Sequence, residues 1–325
     1  MTLSKYARAV TLFLLLALPA CGSPGPDVAA LPPTRMMVPN SPGGGYDITA
    51  RIAARDMEDA GIAGHIEIFN VTGAGGTVAM ARLMNEAGNP SLIMMMMGLG
   101  VVGSGYANGS KISSSEATPL AKMLEEQEGI LVPSDSPYRT VADLVAAWKA
   151  SPGVISVGGG SAAGGPDHLF PMELARTAGI KIKDVNYRPY AGGGELLPAL
   201  LDKKVTFGTS GLAEYAEQIA SGQLRVLAVS GPNRQAGIQA PTLREAGIDL
   251  VFTNWRGVLA PPGLPEADQK RLIEALTRLH DSPAWKQALA DNGWEDSFIT
   301  GESFRTFLTQ QESRVASTLT ELGLP

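Results

Sequence analysis

The sequence contains one cysteine, Cys21, among its 325 residues, and three histidines, His65, His168 and His280. A single cysteine excludes an intrachain disulfide and a thiol cluster for zinc. The scattered histidines show no metal-ligand spacing. Charge is also scarce. Charged residues make up 18% of the chain, the formal net charge is −6, and no block of Lys or Arg appears. That composition argues against a nucleic-acid partner, and any attraction for an anion must be local rather than long-range. There is no Gly-x-x-x-x-Gly-Lys-Ser/Thr loop and no Gly-x-Ser-x-Gly elbow, so nucleotide and hydrolase chemistry lack their usual scaffolds. Ser161 has no predictable base partner. The apolar run Ala9 to Leu18 is too short to span a bilayer.

That run follows Lys5 and Arg8 and precedes Pro19-Ala20-Cys21, the layout of a secretory signal over residues 1–20. Its removal takes away two basic residues and no acid, which leaves the rest near −8. Cys21 directly after Leu18-Pro19-Ala20 resembles the bacterial lipoprotein processing site, although Pro19 departs from the small residue usual there. The resemblance implies lipidation of Cys21; the alternative is ordinary cleavage and a free thiol. Residues 21–33, with four prolines and two glycines after the cysteine, read as a flexible tether. About 300 remaining residues suffice for a large core in two domains.

What the sequence has in abundance is glycine. Val38-Pro39-Asn40-Ser41-Pro42-Gly43-Gly44-Gly45-Tyr46-Asp47 follows the apolar Met36-Met37 and leads into a helical pattern with Ala50, Ala53, Ala54 and Met57 on one face. Glycines let a ligand approach the backbone, and loop amides plus a helix start favour an anion. The plain alternative is a strand-to-helix turn with Asp47 as N-cap. The device recurs after Val154-Ile155-Ser156-Val157, where Gly158 to Gly165 form the loop and Pro166-Asp167-His168 open a helix with Phe170, Leu174 and Ala178. Two such devices facing across a cleft could clamp both ends of a small anion. His168 is either a ligand contact or a first-turn residue that orients Asp167. A smaller turn of the same kind, Gly73-Ala74-Gly75-Gly76, follows the alternating strand 65–69.

Further strands are expected at 92–97, 120–132, 185–187, 205–207 and 224–229. The four methionines in the first of these suit a buried strand better than a soft-metal site, since neighbours point to opposite faces. Helices are expected at 140–150, after Gly194 and after Gly211, and three more at 265–280, 283–292 and 302–322 that pack without adding chemistry. The βαβα rhythm argues for mostly parallel sheets with ligands at the carboxyl ends of strands.

These motifs resemble the extracytoplasmic solute receptors of tripartite tricarboxylate transporters, the TctC or Bug group. The likeness runs in order through residues 38–47, Asn70 with Gly73 to Gly76, residues 161–168, 190–195, 224–230, 241–247 and 255–263, and covers nearly all of 34–325. It implies a non-enzymatic, two-lobed α/β receptor of the Venus flytrap kind (periplasmic-binding-protein type II). Lobe one would take 34–133 and 250–325, and lobe two 134–249. It further implies a monomer without cofactor, which passes a di- or tricarboxylate, citrate-like in the Asn254-Trp255-Arg256-Gly257 version, to a membrane permease. A sensor receptor that presents its closed form to a signalling partner shares the same sequence. The expected ligand-binding residues are Asn40, Ser41, Gly43, Gly44, Tyr46, Asp47, Gly73, Ala74, Ser161, Ala162, Ala163, Gly164, Asp167, His168, Ser210 and Arg256. Arg256 stands either as a charge-assisted partner of a distal carboxylate or in a structural ion pair with a nearby acid. Pro166 removes one amide donor and the second loop is one residue longer than usual, so the second clamp is expected to be shifted.

Overall fold

The fold was analysed on a computed structural model, which describes residues 30–190 and 192–323, with the side chains of residues 94–97 left aside. The signal, Cys21 and most of the tether lie outside these residues, as does the packing of the four methionines.

In chain order the elements are β1 (Thr34–Val38), α1 (Gly45–Asp59), β2 (Ile66–Asn70), α2 (Thr77–Asn85), β3 (Leu92–Met97), α3 (Gly98–Ala107) and β4 (Thr118–Pro133). Next come α4 (Val141–Ala150), β5 (Ser156–Gly159), α5 (Pro166–Thr177), β6 (Asn186–Pro189), α6 (Gly193–Leu201), β7 (Phe207–Gly211), α7 (Ala216–Ala220) and β8 (Leu224–Val229). The chain closes with β9 (Thr253–Ala260), α8 (Glu266–Asp281), α9 (Pro283–Asn292), β10 (Glu295–Thr300) and α10 (Gly301–Glu321). The strands run in the order β2-β1-β3-β9-β4-β7-β5-β6, with β8 and β10 also on β4.

β4 joins two groups of strands. Its first part pairs with β9 and β10, and its last part, from Glu128, pairs with β7 and β8. Pairing is parallel in the outer strands, where helices make the crossovers, and antiparallel around β4 and β9. The sheet is therefore mixed, because β9 returns against β3 and β4 without a helical crossover. Each group has its own apolar interior. One holds Met57, Leu120, Leu124, Leu276 and Trp285; the other holds Ile130, Trp148, Phe170 and Phe207. α10 reaches both sides, with Phe304 and Leu308 beside Trp255 and Val315 and Leu319 in the interior with Trp148.

The α1 stripe folds as its spacing dictates. Ala50, Ala53, Ala54 and Met57 are buried, whereas Arg51, Arg55, Glu58 and Asp59 face water. Two elements escaped the sequence reading. α3 begins with Gly98-Leu99-Gly100, which reads as a loop because its helix is apolar on nearly all sides. β10 is short and polar, with the pattern of an edge strand. β7 spans Phe207–Gly211, so Ser210 lies in a strand rather than in the loop after one.

Candidate functional site

A cavity of about 510 Å³ opens where the loop after β1, the loop after β5, the start of α3, the middle of β4 and the ends of β7 and β9 meet. Both glycine loops line it.

The first loop is held in shape by Asp47. Its Oδ2 accepts from the Gly43 amide at 2.9 Å and from Arg51 Nε at 2.8 Å. Its Oδ1 accepts from Arg51 Nη2 at 3.0 Å and Asn70 Nδ2 at 2.9 Å, and that same Asn70 amide donates to the Asn40 carbonyl. Burial opposes ionisation of Asp47, but the bonds from Arg51, Gly43 and Asn70 outweigh it and hold its pKa below the usual carboxylate range. Asp47 is 2% exposed and does not line the cavity, so it is a brace for the loop rather than a ligand contact. Gly44, not Asp47, is the N-cap of α1. A Cβ on Gly45 would lie 2.8 Å from Arg256 Nη2, so glycine there lets the guanidinium reach the helix start.

The second loop repeats the design. Gly165, the N-cap of α5, has φ −77° and ψ 170°, close to −79° and 165° at Gly44. Asp167 Oδ2 accepts from the Gly160 amide at 2.7 Å, and Oδ1 from Ser161 Oγ at 3.0 Å. The remaining donors are largely engaged within the loop: Gly164 N–H points to His168 Nδ1 at 3.2 Å and Gly165 N–H to the Ala162 carbonyl at 2.9 Å. Pro166 sits at the first helical position, where an N–H would have no intrahelical acceptor. His168 therefore does neither of the two things expected of it. Burial lowers its pKa to about 4, and the neutral ring accepts from Gly164 and packs edge-on against Tyr187, centroids 4.7 Å apart. Gly164, with φ +85°, abuts Gly103 of α3, backbone on backbone. That packing, rather than a ligand, explains glycine at both positions.

Arg256 is not a free cation. It is buried, 3% exposed, paired with Glu126 and donating to Thr49 Oγ1 at 2.6 Å. This is the structural ion pair, placed in the cavity wall. Around it stand more acids than bases, since Glu126, Glu128, Asp167 and Glu214 all line the cavity with Arg256. Burial raises Asp167 to about 6, against the bonds from Ser161 and Gly160. Desolvation of its carboxyl in the crowded wall, then Asp167 and Glu126, raise Glu214 to about 7, although the residue as a whole is exposed and its Oε2 accepts from the Gly193 amide at 3.1 Å. Glu128 is pushed well above the usual range by burial, with Asp167, Glu126 and Glu214 adding to it.

Of the residues expected from sequence, Asn40, Ser41, Gly43, Gly44, Tyr46, Gly73, Ser161, Ala162, Asp167, Ser210 and Arg256 line the cavity. Asp47, Ala74, Ala163, Gly164 and His168 do not. Ala74 instead takes a positive φ of 45° within its turn. Glu126, Glu128 and Glu214 were missed. A signal for two of them existed: Glu125-Glu126-Gln127-Glu128 interrupts an otherwise apolar strand, and alternation puts Glu126 and Glu128 on one face. Among the described residues, no group of three or more His, Cys, Asp or Glu could hold a metal ion, and no helix is long and apolar enough to cross a membrane.

Comparison with known proteins gives the same picture. A family model described as "Tripartite tricarboxylate transporter family receptor" matches residues 49–324. The chain is 29% identical over 299 residues to the UPF0065 protein in the gbd 5′ region of Cupriavidus necator, covering 90% of this chain and 88% of that one. It superposes on MatC of Rhodopseudomonas palustris with bound malate at TM-score 0.75, with 23% identity and coverage of 89% and 99%. It also superposes on Rpa4515 of R. palustris with adipate at TM-score 0.78, with 20% identity and coverage of 90% and 98%. Those two likenesses show the two-lobed binding-protein fold. With the family model spanning most of its length and the fold to match, this chain belongs to the TctC family of tripartite tricarboxylate transporter solute receptors.

Proposed function

We propose that this protein is an extracytoplasmic receptor whose two lobes, 34–133 with 250–325 and 134–249, close on a small organic acid and deliver it to a membrane permease. The observation that carries the reading is the cavity itself. It lies between two strand–glycine loop–helix devices reached from opposite parts of β4, each braced by a buried aspartate in the first turn of its helix. Malate and adipate in the related structures support an organic acid as the ligand class. Its carboxylate lies at the α1 end, where Asn40, Ser41 and the helix start converge. Contacts to both lobes then favour the closed state by the ligand's differential affinity.

The wall chemistry narrows the expected di- or tricarboxylate. Each of the wall acids Glu128, Asp167 and Glu214 that is ionised opposes an added negative charge by about 3 kcal/mol at ~6 Å and an effective dielectric of ~20. An acid of low net charge fits better than citrate. The protein works as a monomer, anchored through lipid on Cys21. Calorimetric titration with succinate, malate, adipate, glutamate, tricarballylate and citrate tests the reading; a folded protein that binds none of them refutes it. Mass spectrometry of the membrane-extracted protein tests the anchor, and an unmodified Cys21 removes it.

A further inference from the structure

We infer that the inner wall of the cavity is a subsite for a protonated nitrogen, so that the ligand is a small organic acid carrying an ammonium group. The inference rests on the receptor reading above and names the ligand class of that same site.

β4 is apolar along most of its length, with Leu120, Ala121, Met123, Leu124, Ile130, Leu131 and Val132 fully buried. A buried strand of this kind gains nothing in stability from acids. Yet Glu126 and Glu128 share one face of it and both line the cavity. Glu126 is accounted for by Arg256. Glu128 is not: it is 1% exposed, and neither of its carboxyl oxygens has a hydrogen-bond partner. Asn254 is the register partner of Glu126 on β9, lines the same cavity and is 2% exposed. Its Oδ1 also lacks a donor. Buried acceptors without donors are rare, because each forfeits its hydration. Three such atoms sit together on β4 and β9 in the wall of one cavity, and a fourth, Asn40 Oδ1, lies at its α1 end.

The missing partner is therefore a donor that arrives from the cavity. An inorganic cation would need a set of ligands, and none is assembled among the described residues. The nearby guanidinium is held by Glu126 and Thr49 through its two Nη atoms, while its Nε is without a partner. An ammonium fits: it is a compact cation with three donors and needs only acceptors. Asp167 and Glu214 add the same sign of potential, although Arg256 offsets part of it at Glu214. A zwitterion places its carboxylate at the helix start and its ammonium against Glu128 while adding no net charge.

The test is calorimetric titration of matched pairs that differ only in the amino group: aspartate against succinate, glutamate against glutarate, 4-aminobutyrate against butyrate. The amino member of at least one pair should bind about tenfold tighter or better. Glu128→Gln, which keeps the shape and cannot ionise against an ammonium, should bring that pair to within a few-fold. Glu214→Gln, in a more open position, provides a second arm should the first variant fail a cooperative thermal melt; it should reduce the preference less. A wild-type protein that binds the amino-free acids as well or better overturns the inference and leaves the receptor reading standing. A preference that survives both substitutions overturns the assignment to this wall. Binding of neither member of any pair counts against both readings.

Discussion

Asp167 gives the sharpest physical test of how the second loop is built. Its carboxyl is 6% exposed and ionises at about pH 6 in the folded protein, mainly because burial penalises the charge. In the unfolded chain it ionises near 4. Below about pH 4 both states hold the proton, and between about 4 and 6 only the folded state does. The folded state thus binds more protons in that window, so its stability falls as pH rises through it. The loss from this one group reaches up to about 3 kcal/mol at pH 7. Acid unfolding driven by well-paired carboxylates such as Asp47, whose pKa is lowered, runs in the opposite direction. The two are separated by comparing the protein with Asp167→Asn, which cannot titrate and keeps an acceptor for the Gly160 amide. Urea midpoints of the ligand-free protein and the variant at pH 4.5, 5.5, 6.5 and 7.5 provide the measurement. The variant should be the less stable at pH 4.5 and gain on the parent by about 2 kcal/mol towards pH 7.5. Parallel profiles for the two proteins would refute the account of a buried, reluctant acid at the head of α5.

Three further outcomes follow from the geometry. Arg256→Met should cost about 3–5 kcal/mol in chemical denaturation, because it leaves Glu126 buried without its cation; adding Glu126→Gln should restore at least half, and purely additive losses would show that the pair is uncoupled. Gly103→Ala puts a methyl against the Gly164 backbone; a cost of about 1–3 kcal/mol in the thermal melt and about tenfold weaker ligand binding are expected, and an unchanged melt would mean that α3 and the second loop do not touch. Thr140→Ala removes the capping box that Thr140 and Asp143 form at the head of α4; it should cost about 1 kcal/mol and leave titrations unchanged, and any effect on binding would imply that α4 is coupled to the cleft.

The glycine loops were legible because they depend on local rules. Glycines between an apolar run and a helical stripe, with an aspartate in the first turn, specify a strand–loop–helix turn wherever they occur, and both turns fold that way. What the first-turn aspartates do was not legible. Whether Asp47 touches ligand or braces its own loop depends on Asn70, 23 residues on, meeting it across β1 and β2. The surroundings of His168 and Gly164 were not legible for the same reason: their partners are Tyr187 and Gly103, on other elements.

The sequence by itself determined the periodic stripe of α1, the paired devices, the order of family motifs and the lack of any metal or nucleophile pattern, since each is written in composition or short spacing. Only the tertiary structure decided the charge of the site. Glu126, Glu128, Glu214 and Arg256 are 2 to 130 positions apart, and their effect on a ligand depends on distance and burial rather than on order. When β4, β7 and β9 come side by side, Arg256, the one Lys or Arg among the described lining residues, is held by Glu126, and Glu128, Asp167 and Glu214 line the cavity with it.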